Sequence, residues 1–138
     1  MTLDQFKEKI NNKDMLEFTC FNNWMYGTSY DSLSKDKINI GVFNPAGVRF
    51  LLADDRIDAK VFRVICDDKE RLLRQLNREE HPDVDEIIRR YSTDKSDFAF
   101  LDFPYIELNN TTADDLSFNT QRILDAVLAH SSMKDKID

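Results

Sequence analysis

The hydrophobic positions of this chain repeat with two periods, one typical of helices and the other of strands. Thr2 and Gln5 form a capping-box pattern, and the apolar residues that follow share one helical face, so a helix is predicted over about 3–10. Residues 16–21 then alternate between apolar and polar side chains, and an Asn-Asn pair turns the chain into a second strand over 24–27. The chain is therefore predicted to begin with a short helix and a β-hairpin.

The predicted hairpin carries a group of polar side chains that suits a ligand. It brings Glu17 near Tyr26, and a Tyr-Gly-Thr-Ser turn adds the hydroxyls of Thr28 and Ser29. Ser29 is also placed to cap a helical turn that runs to Leu33. A carboxylate, an aromatic ring and short hydroxyls together suit a planar polar ligand.

Two strands and a helix are predicted in the middle of the chain. Residues 38–42, Ile-Asn-Ile-Gly-Val, alternate as a strand does, and Asn44 followed by Pro45 predicts the start of a helix. The apolar, β-branched run over 59–66 indicates a strand that is covered on both faces. This pattern favours a parallel or mixed sheet with helices packed on it.

Helical periods dominate the rest of the chain. Asp67, Val84 and Thr112 are the predicted starts of three further helices, and a strand is predicted over 105–108 before the last of them. Strands that alternate with helices predict the α/β class. Residues 131–138 are predicted to be a flexible polar tail. The apolar residues predicted to face inward on the helices from Asn44 onward are Val48, Leu51, Leu52, Leu72, Leu73, Leu76, Val84, Ile87, Ile88, Tyr91, Leu116, Ile123, Leu124, Val127 and Leu128.

Arginines form a second concentration of candidate chemistry. Arg71, Arg74 and Arg78 fall at i, i+3 and i+7 on one predicted outer face, and Arg89 and Arg90 face away from the apolar stripe of the next helix. Two interpretations stay open at this point. The guanidinium groups bind a phosphate or a partner, or they pair with glutamates nearby in the sequence.

Composition narrows the class of protein. A chain of 138 residues with 41% hydrophobic content supports one core, so a single domain is predicted over 1–130. The net charge of −7 argues against direct nucleic-acid binding and favours a basic partner. No apolar run approaches the roughly 18 residues of a membrane span, and the first residues do not resemble a secretory signal. The protein is predicted to be cytoplasmic, with no membrane segment.

Cysteine and histidine positions suggest no redox or metal chemistry. Cys20 and Cys66 lie in predicted apolar strands, which favours buried free thiols and a reducing compartment. His81 and His130 lack the spacing of metal ligands, so no metal site is predicted.

Six motifs, taken in order, resemble the guanylate kinase family: FKEKI, LEF, NNWMYGTS, INIGVFNPAG, RLLRQLNRE and LNN. The resemblance runs from about Phe6 to Leu128, and its most specific part is a glutamate followed nine residues later by Tyr-Gly-Thr-Ser. It implies an incomplete guanylate-kinase-like fold, with a three-layer arrangement around a mixed or parallel sheet. A hairpin part over about 1–33 would bind the nucleoside monophosphate, and a core and lid-like part would cover about 34–130.

The resemblance also implies roles for the hairpin residues. In that family the carboxylate that matches Glu17 contacts the guanine edge, the tyrosine that matches Tyr26 contacts the phosphate, and the hydroxyl that matches Thr28 contacts the base. A guanine edge presents two N–H donors, which a carboxylate accepts well. Glu17, Tyr26, Thr28 and Ser29 are therefore the predicted binding residues for a GMP-like nucleotide.

Family arginines from the lid clamp the transferring phosphates. By position these would be Arg74 and Arg78, followed by Arg89 or Arg90. Phosphoryl transfer requires positive charge of this kind around the γ-phosphate.

Two departures from the family pattern change the predicted function. None of the three glycines (Gly27, Gly41 and Gly47) is followed by lysine, so the chain has no Gly-x-x-x-x-Gly-Lys phosphate loop. The family's acidic residue after the third strand falls near Asn44. The chain is therefore predicted to bind a nucleotide without acting as a kinase alone, with no cofactor and no catalytic residues.

Two alternative functions stay open. One is a phage-type protein-interaction or inhibitor domain with an acidic surface, and the other is one half of a split nucleotide kinase. The family strand that leads into the phosphate loop lies between the strands matching 38–43 and 59–66. Its absence here predicts an exposed sheet edge that takes a partner strand or forms a homodimer.

Overall fold

The structure, a computed structural model, describes residues 1–21 and 23–134 and divides the chain into two units. The first unit comprises Met1–Ala59, and the second begins at Lys60. The described residues form helices and two separate two-stranded sheets, which confirms the general α/β class. In chain order the elements are α1 (Leu3–Asn11), β1 (Met15–Phe21), β2 (Trp24–Ser29), one 3₁₀ turn (Tyr30–Ser32), α2 (Pro45–Ala53), β3 (Phe62–Ile65), α3 (Asp68–Leu76), α4 (Val84–Asp97), β4 (Ile106–Asn109) and α5 (Ala113–Lys134).

Capping side chains fix the starts of the helices in the first unit. The hydroxyl of Thr2 accepts the backbone N–H of Gln5, and the Gln5 side chain accepts the backbone N–H of Thr2, which is the predicted capping box. The Asn44 side chain accepts the Gly47 N–H at 2.8 Å, with Pro45 as the first residue of α2. Both predicted helix starts are confirmed.

The antiparallel pair of β1 and β2 is the framework of the first unit. Leu16 of β1 is buried, and α2 packs against β1 with the rings of Phe18 and Phe50 5.8 Å apart. The predicted hairpin is therefore confirmed, although its second strand runs to Ser29 instead of ending at residue 27.

Arg56 fastens the segment after α2 to the connection between α1 and β1. Its guanidinium group donates to the carbonyl of Lys13 at 3.3 Å and lies 4.4 Å from the centre of the Tyr30 ring. The same group pairs with Asp54 at 2.7 Å, which lowers the pKa of that carboxyl to about 2. Lys13 has a φ of 59°, a left-handed conformation that few residues other than glycine adopt. Arg56 therefore holds the chain at a strained turn.

The second unit contains a parallel pair of strands with one protected edge. β3 pairs with β4, and Leu108 of β4 is buried. On the outer side of β4, the Asn119 side chain donates to the carbonyl of Asn109 at 2.5 Å, and Arg122 donates to the carbonyl of Glu107 at 3.1 Å. Helix α5 thus protects the edge of the sheet with polar groups in addition to apolar packing.

Residues 38–42 do not form the predicted strand. They lie outside helix and strand, with Ile38, Ile40 and Val42 exposed by 64%, 90% and 100%. The period of two is present, but no strand among the described residues pairs with it. An alternating pattern becomes a strand only when its backbone groups find partners, so the prediction was wrong for lack of a neighbour.

The predicted strand over 59–66 is shorter and less covered than expected. The strand that pairs with β4 comprises Phe62–Ile65, and Val64 is 60% exposed, so the prediction of a strand covered on both faces was wrong. The strand ends where the Asp67 N–H turns to the Thr111 hydroxyl at 3.0 Å. Asp67 also caps α3 by accepting the Glu70 N–H, as predicted.

The apolar stripes of the helices are wider than the surfaces that cover them. On α5, Asn119 is 7% exposed and marks the side that faces β4, while Leu124 lies about 140° round the helix and is exposed. The prediction that these apolar helix residues face inward is therefore wrong for some of them. The residues predicted to face inward that are exposed are Leu52, Leu73, Val84, Ile88, Leu116, Leu124 and Leu128.

The prediction of buried cysteines needs correction. Cys20 and Cys66 are free thiols as predicted, but Cys20 is exposed and Cys66 is half-buried. Helix α5 continues to Lys134 and so includes the first four residues of the predicted tail, while 135–138 lie outside the described residues. The helix extends because its last turns contain no proline or glycine to stop it.

The buried amide of Asn119 gives a direct test of the edge protection. We expect Asn119→Ala to lower the free energy of unfolding of the second unit by about 1–3 kcal/mol, because the carbonyl of Asn109 loses its donor. Urea unfolding followed by far-UV circular dichroism measures the change. Gln121→Ala is the matched control, since Gln121 is exposed and should change stability by less than about 0.5 kcal/mol. Equal effects of the two variants would contradict the structural role of Asn119.

Candidate functional site

Glu17 and Thr28 form a directly opposed pair in the β1–β2 hairpin. A bulge between Met15 and Glu17 shifts the register, so that Glu17 lies opposite Thr28 and Thr19 opposite Tyr26. The Thr28 hydroxyl donates to Oε1 of Glu17 at 2.8 Å, and both side chains are partly buried. Thr28 therefore fixes the carboxylate, which keeps further acceptor positions for a ligand.

Gly27 permits the close approach of the two strands beside Glu17. A Cβ at this position would collide with the backbone carbonyl of Glu17 and would lie 2.7 Å from the Met15 side chain and 3.0 Å from Cβ of Phe18. The carbonyl belongs to the strand backbone and cannot move aside as a flexible side chain can. In the Tyr-Gly-Thr-Ser motif, the glycine thus leaves room for the backbone of Glu17, and the threonine holds its carboxylate by a hydrogen bond.

One face of the hairpin presents polar and aromatic groups together. Because side chains alternate along a strand, Trp24, Tyr26 and Thr28 of β2 share this face with Glu17 and Thr19 of β1. Trp24 is 69% exposed and Tyr26 57% exposed. The sequence predicted Tyr26 next to Glu17, and the register places it one pair further along the same face.

Ser29 lies at the end of β2 and has a different environment. It precedes the 3₁₀ turn as predicted, but its side chain makes no capping hydrogen bond there. Asp31 of that turn pairs with Lys9 of α1 at 2.8 Å. The hydrogen bond from Lys9 lowers the pKa of Asp31, and the Ser29 side chain lowers that pKa by a smaller amount. Ser29 is therefore associated with the Asp31–Lys9 pair.

Arg74 contacts the backbone of the second unit. Its guanidinium group donates to the carbonyls of Asn110 and Thr111, both at 2.8 Å, and to Glu70 at 2.8 Å. Arg71 is half-buried and lies 4.4 Å from the centre of the Tyr91 ring of α4. The predicted outer stripe of arginines is thus wrong for Arg71, because its side chain packs against α4.

The arginine pair on α4 shares one carboxylate. Glu86 accepts two hydrogen bonds from Arg89, at 2.7 and 2.8 Å, and one from Arg90 at 2.8 Å. Arg89, followed by Arg90, lowers the pKa of Glu86 to about 2. Arg78 lies just beyond the end of α3 and is exposed. The arginines predicted to clamp a phosphate therefore occupy three different settings.

Residues 1–21 and 23–134 contain no group of three or more His, Cys, Asp or Glu side chains arranged to hold a metal ion. None of their helices is long and apolar enough to cross a membrane. An open depression of about 410 Å³ lies on α1, lined by Met1, Gln5, Glu8, Lys9 and Asn12, and it shares no residue with the hairpin face.

Comparisons with protein-family models, with curated proteins and with solved structures find no match to this chain. The resemblance to guanylate kinases therefore depends on the motifs of the chain itself. The roles that it implies for the hairpin residues and for the arginines stay predictions.

Sequence reasoning missed several residues whose side chains bond to the backbone within one unit or the other. Arg56, Asn119 and Arg122 bond to backbone carbonyls in the structure. A signal existed for Asn119, since it is a polar residue at helical spacing from Ile123 within an apolar stripe. The bond between Arg56 and the carbonyl of Lys13 spans 43 positions and leaves no local pattern.

The space beside Gly27 can be tested by adding one methyl group. We expect Gly27→Ala to destabilise the first unit by about 1–3 kcal/mol, because the methyl group overpacks the hairpin against the Glu17 carbonyl. Urea unfolding followed by the fluorescence of Trp24, the only tryptophan, reports the change in the hairpin.

Gly41→Ala is the matched control for this variant. The atoms nearest to a Cβ at Gly41 belong to the ring of Phe43, the end of a side chain, whereas the atom nearest to a Cβ at Gly27 belongs to the backbone. If both variants unfold at the same urea concentration, the close approach at Gly27 does not constrain the hairpin.

Proposed function

We propose that this chain binds a purine nucleoside monophosphate through the face of the hairpin that carries Glu17. The observation that carries the proposal is the hydrogen bond from Thr28 to Glu17 at 2.8 Å. A carboxylate held in one orientation accepts the two adjacent N–H donors of a guanine edge with little loss of side-chain freedom on binding. Thr28 and Gly27 would therefore position Glu17 for recognition of the base.

Exposed aromatic groups on the same face support the proposal. Trp24 and Tyr26 present flat rings to solvent on the same face as Glu17, with Tyr26 one pair and Trp24 two pairs further along the hairpin. Stacking of a nucleobase on an aromatic side chain contributes about 1–3 kcal/mol to binding. The resemblance to guanylate kinases additionally assigns the Tyr26 hydroxyl to the phosphate.

The candidate phosphate-binding arginines differ in the hydrogen bonds that they would lose on binding a phosphate. Arg78 is exposed beyond α3, and Arg89 and Arg90 already share Glu86. Arg74 would have to release the carbonyls of Asn110 and Thr111 to clamp a phosphate. Arg78 is therefore the arginine of the second unit that would bind a phosphate with the least rearrangement, and the site proposed on the hairpin of the first unit does not include it.

We propose nucleotide binding without kinase activity. The 138 residues contain no glycine-rich phosphate loop, and Asn44, which matches the position of a family carboxylate, caps α2 through its side chain. Recognition of a monophosphate requires neither feature.

Calorimetric titration with three nucleotides tests the assignment of Glu17. We expect affinity to fall in the order GMP, IMP, AMP, because guanine offers two N–H donors at its edge, hypoxanthine one, and adenine a different donor pattern. Glu17→Gln should weaken GMP binding at least about tenfold, since the amide replaces acceptor capacity with N–H donors.

Glu8→Gln is the matched control for Glu17→Gln. It makes the same change of charge in the same unit, but on α1, where Glu8 lines the open depression. The control variant should bind GMP as the wild type does. Absence of GMP binding at millimolar concentration, or equal affinities for wild type and Glu17→Gln, would overturn the proposal.

A second candidate function is a protein-interaction or inhibitor domain. It is favoured by the apolar residues that α5 leaves exposed, including Leu116 and Leu124, together with the net charge of −7. A basic partner with an apolar centre would match both features.

This candidate is tested by comparing how the wild type and a variant with two added lysines on α5 capture a partner. The wild-type chain should retain one basic protein in stoichiometric amount from a lysate of its source organism. The double variant Leu116→Lys with Leu124→Lys should lose it while keeping its circular dichroism spectrum, because lysines disrupt an apolar contact. Recovery of no stoichiometric partner, or retention by the double variant, would contradict this function.

A further inference from the structure

The outer edge of β3 points away from its neighbour. The carbonyls of Val61 and Ile65 accept N–H groups from β4 and from Asn110, the residue that follows it, at 3.0 and 2.8 Å. Backbone groups alternate in direction along a strand, so the N–H and C=O groups of Phe62 and Val64 point to the opposite side. The sheet has two strands in the order β3–β4 within the described residues, so no strand there lies on that side.

The two edges of this sheet differ in the groups that border them. Asn119 and Arg122 of α5 donate to outward carbonyls on β4 and so block addition of a strand there. On β3, Val64 beside the outer edge is 60% exposed. Parallel strands are normally part of larger sheets with both faces covered. The edge of β3 is therefore the one that is suited to accept another strand.

The same chain contains a segment with the properties of a strand but without a partner strand. Residues 38–42 lie outside helix and strand, and the apolar side chains of Ile38, Ile40 and Val42 are exposed. On the opposite side of the segment, the ring of Phe43 lies directly over Gly41. The segment thus presents one apolar side at a spacing of two residues, as a strand does.

We propose that residues 38–42 of one copy pair with the outer edge of β3 in a second copy. The five-residue segment matches the four residues of β3 in length. A second copy is the appropriate occupant because each chain carries both the segment and the edge. Two such contacts related by a two-fold axis are the symmetric form of this association.

Single substitutions separate the two halves of this contact. Val64→Pro removes an N–H that points outward and leaves the bonds between β3 and β4 intact, since proline is tolerated on edge strands in this orientation. Ile40→Pro removes an N–H from the segment in the same way. Val64→Lys is a second edge variant for use if Val64→Pro alters the circular dichroism spectrum, because lysine on an edge disfavours strand pairing.

Light scattering after size-exclusion chromatography measures the association. The wild type should give twice the 16.2 kDa mass of the chain, and Ile40→Pro and Val64→Pro should each give a monomer. Ile88→Lys, which places a charge on the exposed face of α4, is the control and should stay dimeric.

Mixing the two variants provides the decisive step. Ile40→Pro retains an intact edge and Val64→Pro an intact segment, so an equimolar mixture should form a one-to-one complex through one of the two contacts. General hydrophobic association would not show this complementation. A monomeric wild type at millimolar concentration, dimers in both variants, or no complex from two folded variants would overturn the proposal.

Discussion

Hydrogen bonds from side-chain donors to main-chain carbonyls are the interaction on which this fold depends. Among the described residues, the large apolar side chains that are buried are Leu16 in the first unit and Leu108 in the second, with Pro45 also buried in the first, so polar contacts carry much of the packing between elements. Arg56 instead fastens the carbonyl of Lys13 in the first unit. In the second unit, Asn119 bonds to the edge of β4. Such bonds to charged or amide donors contribute most when the carbonyl would otherwise have no partner.

This use of polar groups changes the functional reading of the arginines. The N–H groups of a guanidinium can donate either to a phosphate or to two carbonyls. Arg74 donates to the carbonyls of Asn110 and Thr111. The hairpin has the opposite character, since its polar and aromatic side chains face outward. The Thr28 hydroxyl donates to Glu17 there, and under the proposed function this bond orients the carboxylate for a ligand.

The sequence predicted what depends on neighbouring residues and failed where distant ones decide. The helix starts at Thr2 and Asn44 were predicted, because capping involves residues three positions apart. The hairpin was predicted for the same reason, whereas its register, and so the pairing of Glu17 with Thr28, depends on a bulge that has no local signature. Residues 38–42 have the pattern of a strand, but a strand requires a partner, which pattern cannot supply.

Backbone amide chemical shifts recorded during addition of GMP test the central claim that the hairpin face is the ligand-binding surface. The account predicts saturable shifts that are largest at Glu17, Thr19, Tyr26 and Thr28, with the amides of α1 near their initial positions. Shifts that are largest on α1, or the absence of saturable shifts at millimolar GMP, would contradict it.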